Sequence, residues 1–79
     1  MRVLDVLTAL FCRNYGCEPE DVRMDATLDD LNIAPHERKD MAVFLGELFG
    51  VEIDDATLDG FDTVEDVVGY VEDYLCEKG

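Results

Sequence analysis

The sequence predicts an all-α fold, a four-helix bundle of three longer helices and one short helix. Apolar residues recur at steps of three and four in three segments, a spacing that places their side chains on one face of a helix. No segment of useful length alternates between apolar and polar residues, as a half-buried strand would. The chain of 79 residues is expected to form one domain, over residues 1–79.

The first helix is predicted to end at Gly16, and an acidic connection follows from position 17 to position 33. The apolar stripe of this helix consists of Val3, Leu4, Leu7, Leu10, Phe11 and Tyr15. A structureless loop as long as this connection is uncommon in a small domain. Val22, Leu28 and Leu31 are therefore expected to hold the connection against the core around a short turn.

The second helix is expected to begin at Pro35, because proline favours the first helical position and keeps the preceding residue out of the α region. Gly50 is expected to end this helix. Its apolar stripe consists of Met41, Phe44, Leu45, Leu48 and Phe49. After a short extended piece, residues 54–58 have room for about one helical turn.

The last helix has the clearest pattern. Asp62 is predicted to cap it, with Glu65 three residues later completing a capping box. Its apolar side consists of Val64, Val67, Val68, Val71, Tyr74 and Leu75. Together these segments give the three longer helices and the single short helix of the predicted bundle.

The charge of the chain limits its partners. Twenty acidic residues stand against six Lys and Arg, so the formal net charge at pH 7 is −14. Nucleic acid is not an expected partner, because a phosphate backbone attracts clustered Lys and Arg. No run of about 18 apolar residues and no secretory leader is found, so the protein is expected to be cytoplasmic, without membrane association, and monomeric.

No arrangement of residues in the sequence is typical of an enzyme. His36 is the only histidine, and no serine or cysteine lies near it in the sequence. Cys12, Cys17 and Cys76 are interpreted as reduced thiols, with a redox or metal role as the alternative.

A partial match to a calcium loop runs from Asp55 to Asp66, with Gly60 at the sixth place. Asp62 stands at the eighth place, where an apolar residue is usual, and Asp66 is shorter than the usual glutamate at the twelfth. No metal site and no cofactor are predicted. A small acidic protein that responds to divalent cations remains an alternative.

Three segments, residues 26–31, 45–53 and 62–71, together resemble the acyl carrier protein family. They contain an acidic Asp-Leu pair before the second helix, a Phe-x-x-Glu-Ile exit from that helix, and a Thr-Val start of the last helix. The resemblance implies a four-helix fold. It also implies an acyl chain carried as a thioester on phosphopantetheine, which is attached to a serine in an Asp-Ser-Leu motif at the start of the second helix.

The sequence departs from the family at this motif. Counting back from the end of the second helix without a gap, the three corresponding positions hold Ala34, Pro35 and His36, and the whole chain contains no serine. Thr27 and Thr57 are the nearest threonines, and both lie outside the motif. The chain is therefore expected to be a non-enzymatic interaction module without phosphopantetheine. The alternative is a genuine acyl carrier of fatty-acid or polyketide synthesis whose serine was replaced or has diverged.

The resemblance also implies a partner-binding surface on and after the second helix. The expected partners are cytoplasmic proteins, with acyl-handling enzymes as the class that the family suggests. The expected contact residues are His36, Lys39, Asp40, Val43, Glu47, Ile53 and Asp55. In the family an acyl cavity would lie among Phe11, Phe44, Leu45, Phe49, Val68 and Val71, but the four phenylalanines of this chain favour a filled core.

Overall fold

The computed structural model describes residues 2–78, with side chains described for residues 2–76. The helices are α1 (Val3–Tyr15), α2 (Pro35–Phe49), α3 (Asp55–Asp59) and α4 (Val64–Lys78), and a 3-10 turn, Pro19–Asp21, lies between α1 and α2. The described residues form no strand, only a single bridge between Thr27 and Thr63. The predicted all-α bundle of three longer helices and one short helix is confirmed. Met1 and Gly79, the ends of the expected domain, lie outside the described residues.

The helix ends that were predicted from proline and glycine are confirmed. α2 begins at Pro35, and α1 and α2 both end at a glycine in the left-handed conformation, with φ of 68° at Gly16 and 71° at Gly50. A side chain at either glycine would be strained, since residues with a β-carbon rarely adopt this conformation. The two glycines therefore fix where α1 and α2 stop.

One apolar core joins the helices and the long connection. Val22, Leu28, Leu31 and Ile33 are all buried in it, so the connection is held against the bundle as predicted. The helical side chains of the core are Val3, Leu7, Leu10, Phe11, Met41, Leu45, Leu58, Val64, Val67, Val68 and Val71, and Val51 and Phe61 join them from the connections.

The predicted stripe of α2 is only partly buried. Met41 and Leu45 are fully buried and Phe44 and Phe49 are half-buried, but Leu48 is 56% exposed. The prediction for Leu48 was wrong because helical periodicity identifies a face of a helix and not how far the neighbouring elements cover it. Leu48 borders an open groove between α1 and α2.

The start of α4 is bound to the connection between α1 and α2 by backbone hydrogen bonds. The amide of Leu28 donates to the carbonyl oxygen of Asp62 at 2.9 Å, and the amide of Val64 donates to that of Ala26 at 2.9 Å. These bonds surround the bridge between Thr27 and Thr63 and keep residue 63 outside the helix.

The cap of α4 therefore lies one residue later than predicted. One Asp66 carboxylate oxygen accepts hydrogen bonds from the amides of Asp62 and Thr63 at 3.0 and 3.1 Å. The amide of Asp66 in turn donates to the hydroxyl of Thr63 at 3.3 Å. The expected pair of Asp62 and Glu65 was wrong, and Thr63 and Asp66 form the reciprocal cap instead.

Candidate functional site

The residues at the start of α2 carry no hydroxyl and no thiol. Ala34 is the N-cap residue, with extended dihedral angles of −66° and 154°, and Pro35 occupies the first turn. The Glu37 carboxylate accepts a hydrogen bond from the amide of Ala34 at 3.2 Å, which is one half of a capping box. The other half needs a side-chain oxygen at position 34, where this chain has a methyl group.

The hydroxyls of Thr8, Thr27 and Thr63 form local hydrogen bonds, with the carbonyl oxygen of Leu4, the amide of Asp30 and the amide of Asp66. Thr57 lies beside the carboxylate of Asp54, which accepts a hydrogen bond from the Thr57 amide at 2.7 Å. Thr27 lies at the bridge to the start of α4, and Thr57 lies within α3. Neither of these two candidates lies at the start of α2.

One of the cations in the first turn of α2 is held in an ion pair. A guanidinium nitrogen of Arg38 lies 2.9 Å from a carboxylate oxygen of Asp29, and the Arg38 side chain is only 17% exposed. The charged side chains that this turn exposes to solvent are Lys39 and Asp40, and His36 is exposed beside them. The turn therefore presents charges of both signs to solvent.

Tyr15 joins the end of α1 to the same turn. Its hydroxyl donates to the carbonyl oxygen of Glu37 at 3.2 Å. Burial raises the pKa of Tyr15, and the charges of Glu37, Asp40 and Cys17 raise it further. The hydrogen bond of Tyr15 therefore joins the end of α1 to the first turn of α2.

Four of the seven predicted contact residues line one groove between α2 and the α3 region. They are Lys39, Val43, Ile53 and Asp55, and the groove has a volume of about 380 Å³. Val43 is 58% exposed although it is apolar. The groove therefore places an uncovered apolar side chain between a lysine and an aspartate.

Glu47 lies in a second groove, between α1 and α2, which the sequence analysis missed. This groove has a volume of about 440 Å³, and Val6, Phe44 and Leu48 are among its lining residues. Phe44 and Leu48 belong to the predicted stripe of the second helix, and Val6 lies outside that of the first, so the periodicity did not show that these residues border an open groove. The predicted surface is thus divided between two grooves, and His36 lines neither of them.

The calcium-loop alternative gains no support from the structure. Asp55 begins α3, and the Asp66 carboxylate caps α4. The amides of Thr63 and Asp62 lower the pKa of Asp66 through these hydrogen bonds. Within residues 2–76, no group of three or more His, Cys, Asp or Glu side chains is placed to hold a metal ion.

The fold and this site define a small helical protein in which exposed apolar and charged side chains lie on α2 and beside it. None of the helices in the described part of the chain is long and apolar enough to cross a lipid bilayer. No model of a known protein family matches the chain. Individual relatives, however, do match it.

An acyl carrier protein of Chlamydia trachomatis serovar D is 30% identical over 74 residues, which cover 92% of this chain and 96% of the relative. An acyl carrier protein of Phytoplasma australiense is also 30% identical over 74 residues, covering 92% and 97%. A third, from Rhodococcus erythropolis, is 36% identical over 58 residues, covering 72% of this chain and 64% of the relative. The chain therefore belongs to the acyl carrier protein family.

Proposed function

We propose that this protein is a non-enzymatic protein-interaction module with the acyl carrier fold, and that it does not carry phosphopantetheine. The observation that supports this proposal is the residue at the attachment position. Pro35 has no hydroxyl, and its ring nitrogen is part of the peptide bond, so it offers no nucleophile to a transferase. The chain contains no serine elsewhere.

The structure of the first turn of α2 supports the same proposal. Its cap position is an alanine, and the nearest charged groups are used in local contacts, Glu37 with the amide of Ala34 and Arg38 with Asp29. The hydroxyls of Thr27 and Thr63 are bonded elsewhere and are not brought to this turn. The hydroxyl that does reach it from α1 belongs to Tyr15, and it donates to the carbonyl oxygen of Glu37.

The proposed partners are cytoplasmic proteins, among them acyl-handling enzymes, and the proposed docking surface is the α2–α3 groove. Val43 supplies an exposed apolar contact, while Lys39 and Asp55 supply charges of both signs at its edge. Mixed charges set partner choice and orientation more than affinity. Asp40, Glu47 and His36 lie outside the groove and would contact a larger partner. The net charge of −14 opposes nucleic acid as a partner.

A second candidate is a genuine acyl carrier of fatty-acid or polyketide synthesis with a replaced or diverged attachment site. It is favoured by relatives that are named acyl carrier proteins and that this chain covers almost completely. Such a carrier would have to use another hydroxyl, of which Thr27 and Thr57 are the nearest threonines in the sequence. The codons for residues 34–36 in the native gene show whether a serine was replaced.

The experiment that separates the two candidates is attempted loading. The purified chain is incubated with coenzyme A and a promiscuous phosphopantetheinyl transferase, and its intact mass is measured. An acyl carrier protein with the Asp-Ser-Leu motif, loaded in parallel, proves that the enzyme is active. We expect the mass of this chain to stay unchanged. An increase by one phosphopantetheine group would contradict the proposal.

A further inference from the structure

The groove between α1 and α2 has no role in the proposed docking surface, and two opposite charges line it. They are Arg13 of α1 and Glu47 of α2, and both side chains are exposed. Neither is in an ion pair within residues 2–76, where the ion pair that the side chains form is that of Arg38 with Asp29. The groove therefore offers an unpaired cation and an unpaired anion from the described part of the chain.

The two charges lie at opposite ends of this α1–α2 groove. The hydroxyl of Tyr15, at the end of α1, donates to the carbonyl oxygen of Glu37, in the first turn of α2. The two helices extend away from this contact, one on each side of the groove. Arg13 is two residues from Tyr15 and lies at the near end. Glu47 is ten residues from Glu37, about 15 Å along α2 at the helical rise of about 1.5 Å per residue, and lies at the far end.

Apolar side chains make up most of the remaining lining of the groove. Leu10 is buried, Val6 and Phe44 are half-buried, and Leu48 is 56% exposed. Contact with another apolar surface would stabilise these uncovered side chains by removing them from water. The volume of about 440 Å³ lies within the range of clefts that bind other molecules.

We propose that the α1–α2 groove is the interface of a weak homodimer, with a two-fold axis through the middle of the groove. Such an axis turns the groove end for end, so the same surface meets itself. Arg13 of each copy lies opposite Glu47 of the other copy, which gives two intermolecular ion pairs, and the apolar side chains of the two copies face each other. A uniformly basic partner, in contrast, would be repelled at the Arg13 end. This inference is independent of whether the chain carries phosphopantetheine.

The net charge of −14 on each copy opposes the dimer. At a salt concentration of about 0.15 M, exposed charges farther apart than about 8 Å are largely screened, whereas the charges paired across the interface are closer than this. The dimer is therefore expected to be weak and to depend on salt. The monomer that was predicted from the sequence is expected to predominate at low salt.

Sedimentation equilibrium of the full chain tests for the dimer. The protein is measured at concentrations from about 10 µM to about 1 mM, which cover weak and transient association. The buffer contains salt at about 0.15 M and a thiol reductant, so that the exposed Cys76 forms no covalent link between copies. We expect a reversible equilibrium of monomer and dimer. A chain that stays monomeric throughout, or that forms larger species, would overturn the proposal.

Charge reversal separates the two ion pairs from the effect of net charge. Glu47→Arg makes the chain less negative, so reduced repulsion alone would strengthen the dimer. Loss of both ion pairs is instead expected to weaken it by about tenfold, and Arg13→Glu is expected to weaken it as well. An equimolar mixture of the two variants places an arginine opposite a glutamate in both pairs, and we expect it to form a heterodimer as tightly as the unchanged chain dimerises. Stronger self-association of Glu47→Arg, or no heterodimer in the mixture, would contradict the proposal.

A matched pair of lysine substitutions locates the interface. Leu48→Lys places a charge in the α1–α2 groove, and Val43→Lys makes the same change in the α2–α3 groove. We expect Leu48→Lys to remove the dimer and Val43→Lys to keep it, although both change the net charge equally. A circular dichroism spectrum shows that each variant has the helical fold. Equal effects of the two substitutions, or loss of the dimer with Val43→Lys alone, would contradict the proposed interface.

Discussion

α2 and α4 have the same length, 15 residues, but their first turns are built differently. At the start of α4, Thr63 and Asp66 cap each other's backbone, and the flanking residues are hydrogen-bonded to the connection between α1 and α2. At the start of α2, Ala34 offers no side-chain acceptor, and only Glu37 completes half of a box. The start of α4 is thus capped by two side chains, whereas the start of α2 has only a weak cap.

Under the proposed function, the difference explains how the attachment position could change without loss of the fold. The contacts of this turn are made by Glu37 and Arg38, and Pro35 itself is exposed. Proline is compatible with the first helical position, where its missing amide hydrogen has no helical partner to lose. Stability is therefore expected to depend on the α4 start and its buried neighbours, and interaction chemistry on α2.

The largest expected effect is a difference in the free energy of unfolding between substitutions at two leucines. Leu28 is fully buried and its amide donates to the carbonyl oxygen of Asp62, two residues before α4 begins, whereas Leu48 on α2 is 56% exposed. Leu28→Ala is expected to lower the free energy of unfolding by about 2–5 kcal/mol, since it leaves a cavity in the core. Leu48→Ala is expected to change it by about 0.5 kcal/mol or less. Urea unfolding measures the free energy of unfolding of both variants, and equal losses of this free energy would contradict the prediction.

The next effect concerns docking. Val43→Lys places a charge in the α2–α3 groove, and Leu48→Lys makes the same change in the α1–α2 groove. Against a synthase or transferase that binds acyl carrier proteins, the first substitution is expected to weaken binding by about tenfold or more, through the lost apolar contact. Leu48→Lys is the matched control, expected to bind as the unchanged chain does. Calorimetry measures the dissociation constant of both variants. If Leu48→Lys weakened binding more than Val43→Lys, the α1–α2 groove would be the docking surface instead.

A smaller difference in stability is expected between loss of the α4 cap and loss of the α2 cap. Asp66→Ala removes the acceptor for two amides at the start of α4, and Glu37→Ala removes the acceptor for one amide at the start of α2. We expect Asp66→Ala to cost about 1 kcal/mol of the free energy of unfolding and Glu37→Ala to cost less. Thermal unfolding at pH 7 measures both. A larger loss for Glu37→Ala would show that α2 depends on its cap more than α4 does.

The smallest effect is the pH dependence of the Asp66 cap. Hydrogen bonds hold the pKa of Asp66 below its ordinary value in the folded protein. Its contribution is therefore complete above the ordinary aspartate pKa of about 3.9, and it is lost as the pH falls through the lowered pKa. The stability difference between the unchanged chain and Asp66→Ala should be constant near neutral pH and shrink in acid. A difference that grows in acid would contradict this sign.

Much of the fold could be predicted from the sequence because it depends on local signals. Pro35, Gly16 and Gly50 set helix ends through their own backbone preferences, and the buried valines of α4 follow its period. The cap of α4 was misplaced by one residue because the bridge between Thr27 and Thr63 is a contact between distant segments. A local pattern carries no information about such a contact.

The candidate site was predicted less completely. Lys39, Val43, Ile53 and Asp55, four of the contact residues that the family resemblance implied, line one groove, and their contact with a partner stays a prediction. Glu47 faces the other groove and Arg38 is held by Asp29, and neither could be read from spacing, since both depend on how α1 and the connection pack beside α2.

The most direct test restores the family motif. The variant Ala34→Asp/Pro35→Ser/His36→Leu carries Asp-Ser-Leu at the start of α2, and the unchanged chain is its control. Both are incubated with coenzyme A and the same transferase, and their intact masses are compared. The account predicts one phosphopantetheine group on the variant and none on the unchanged chain, because only the nucleophile and its motif are missing from the fold. Loading of the unchanged chain, or no loading of a folded variant, would contradict it.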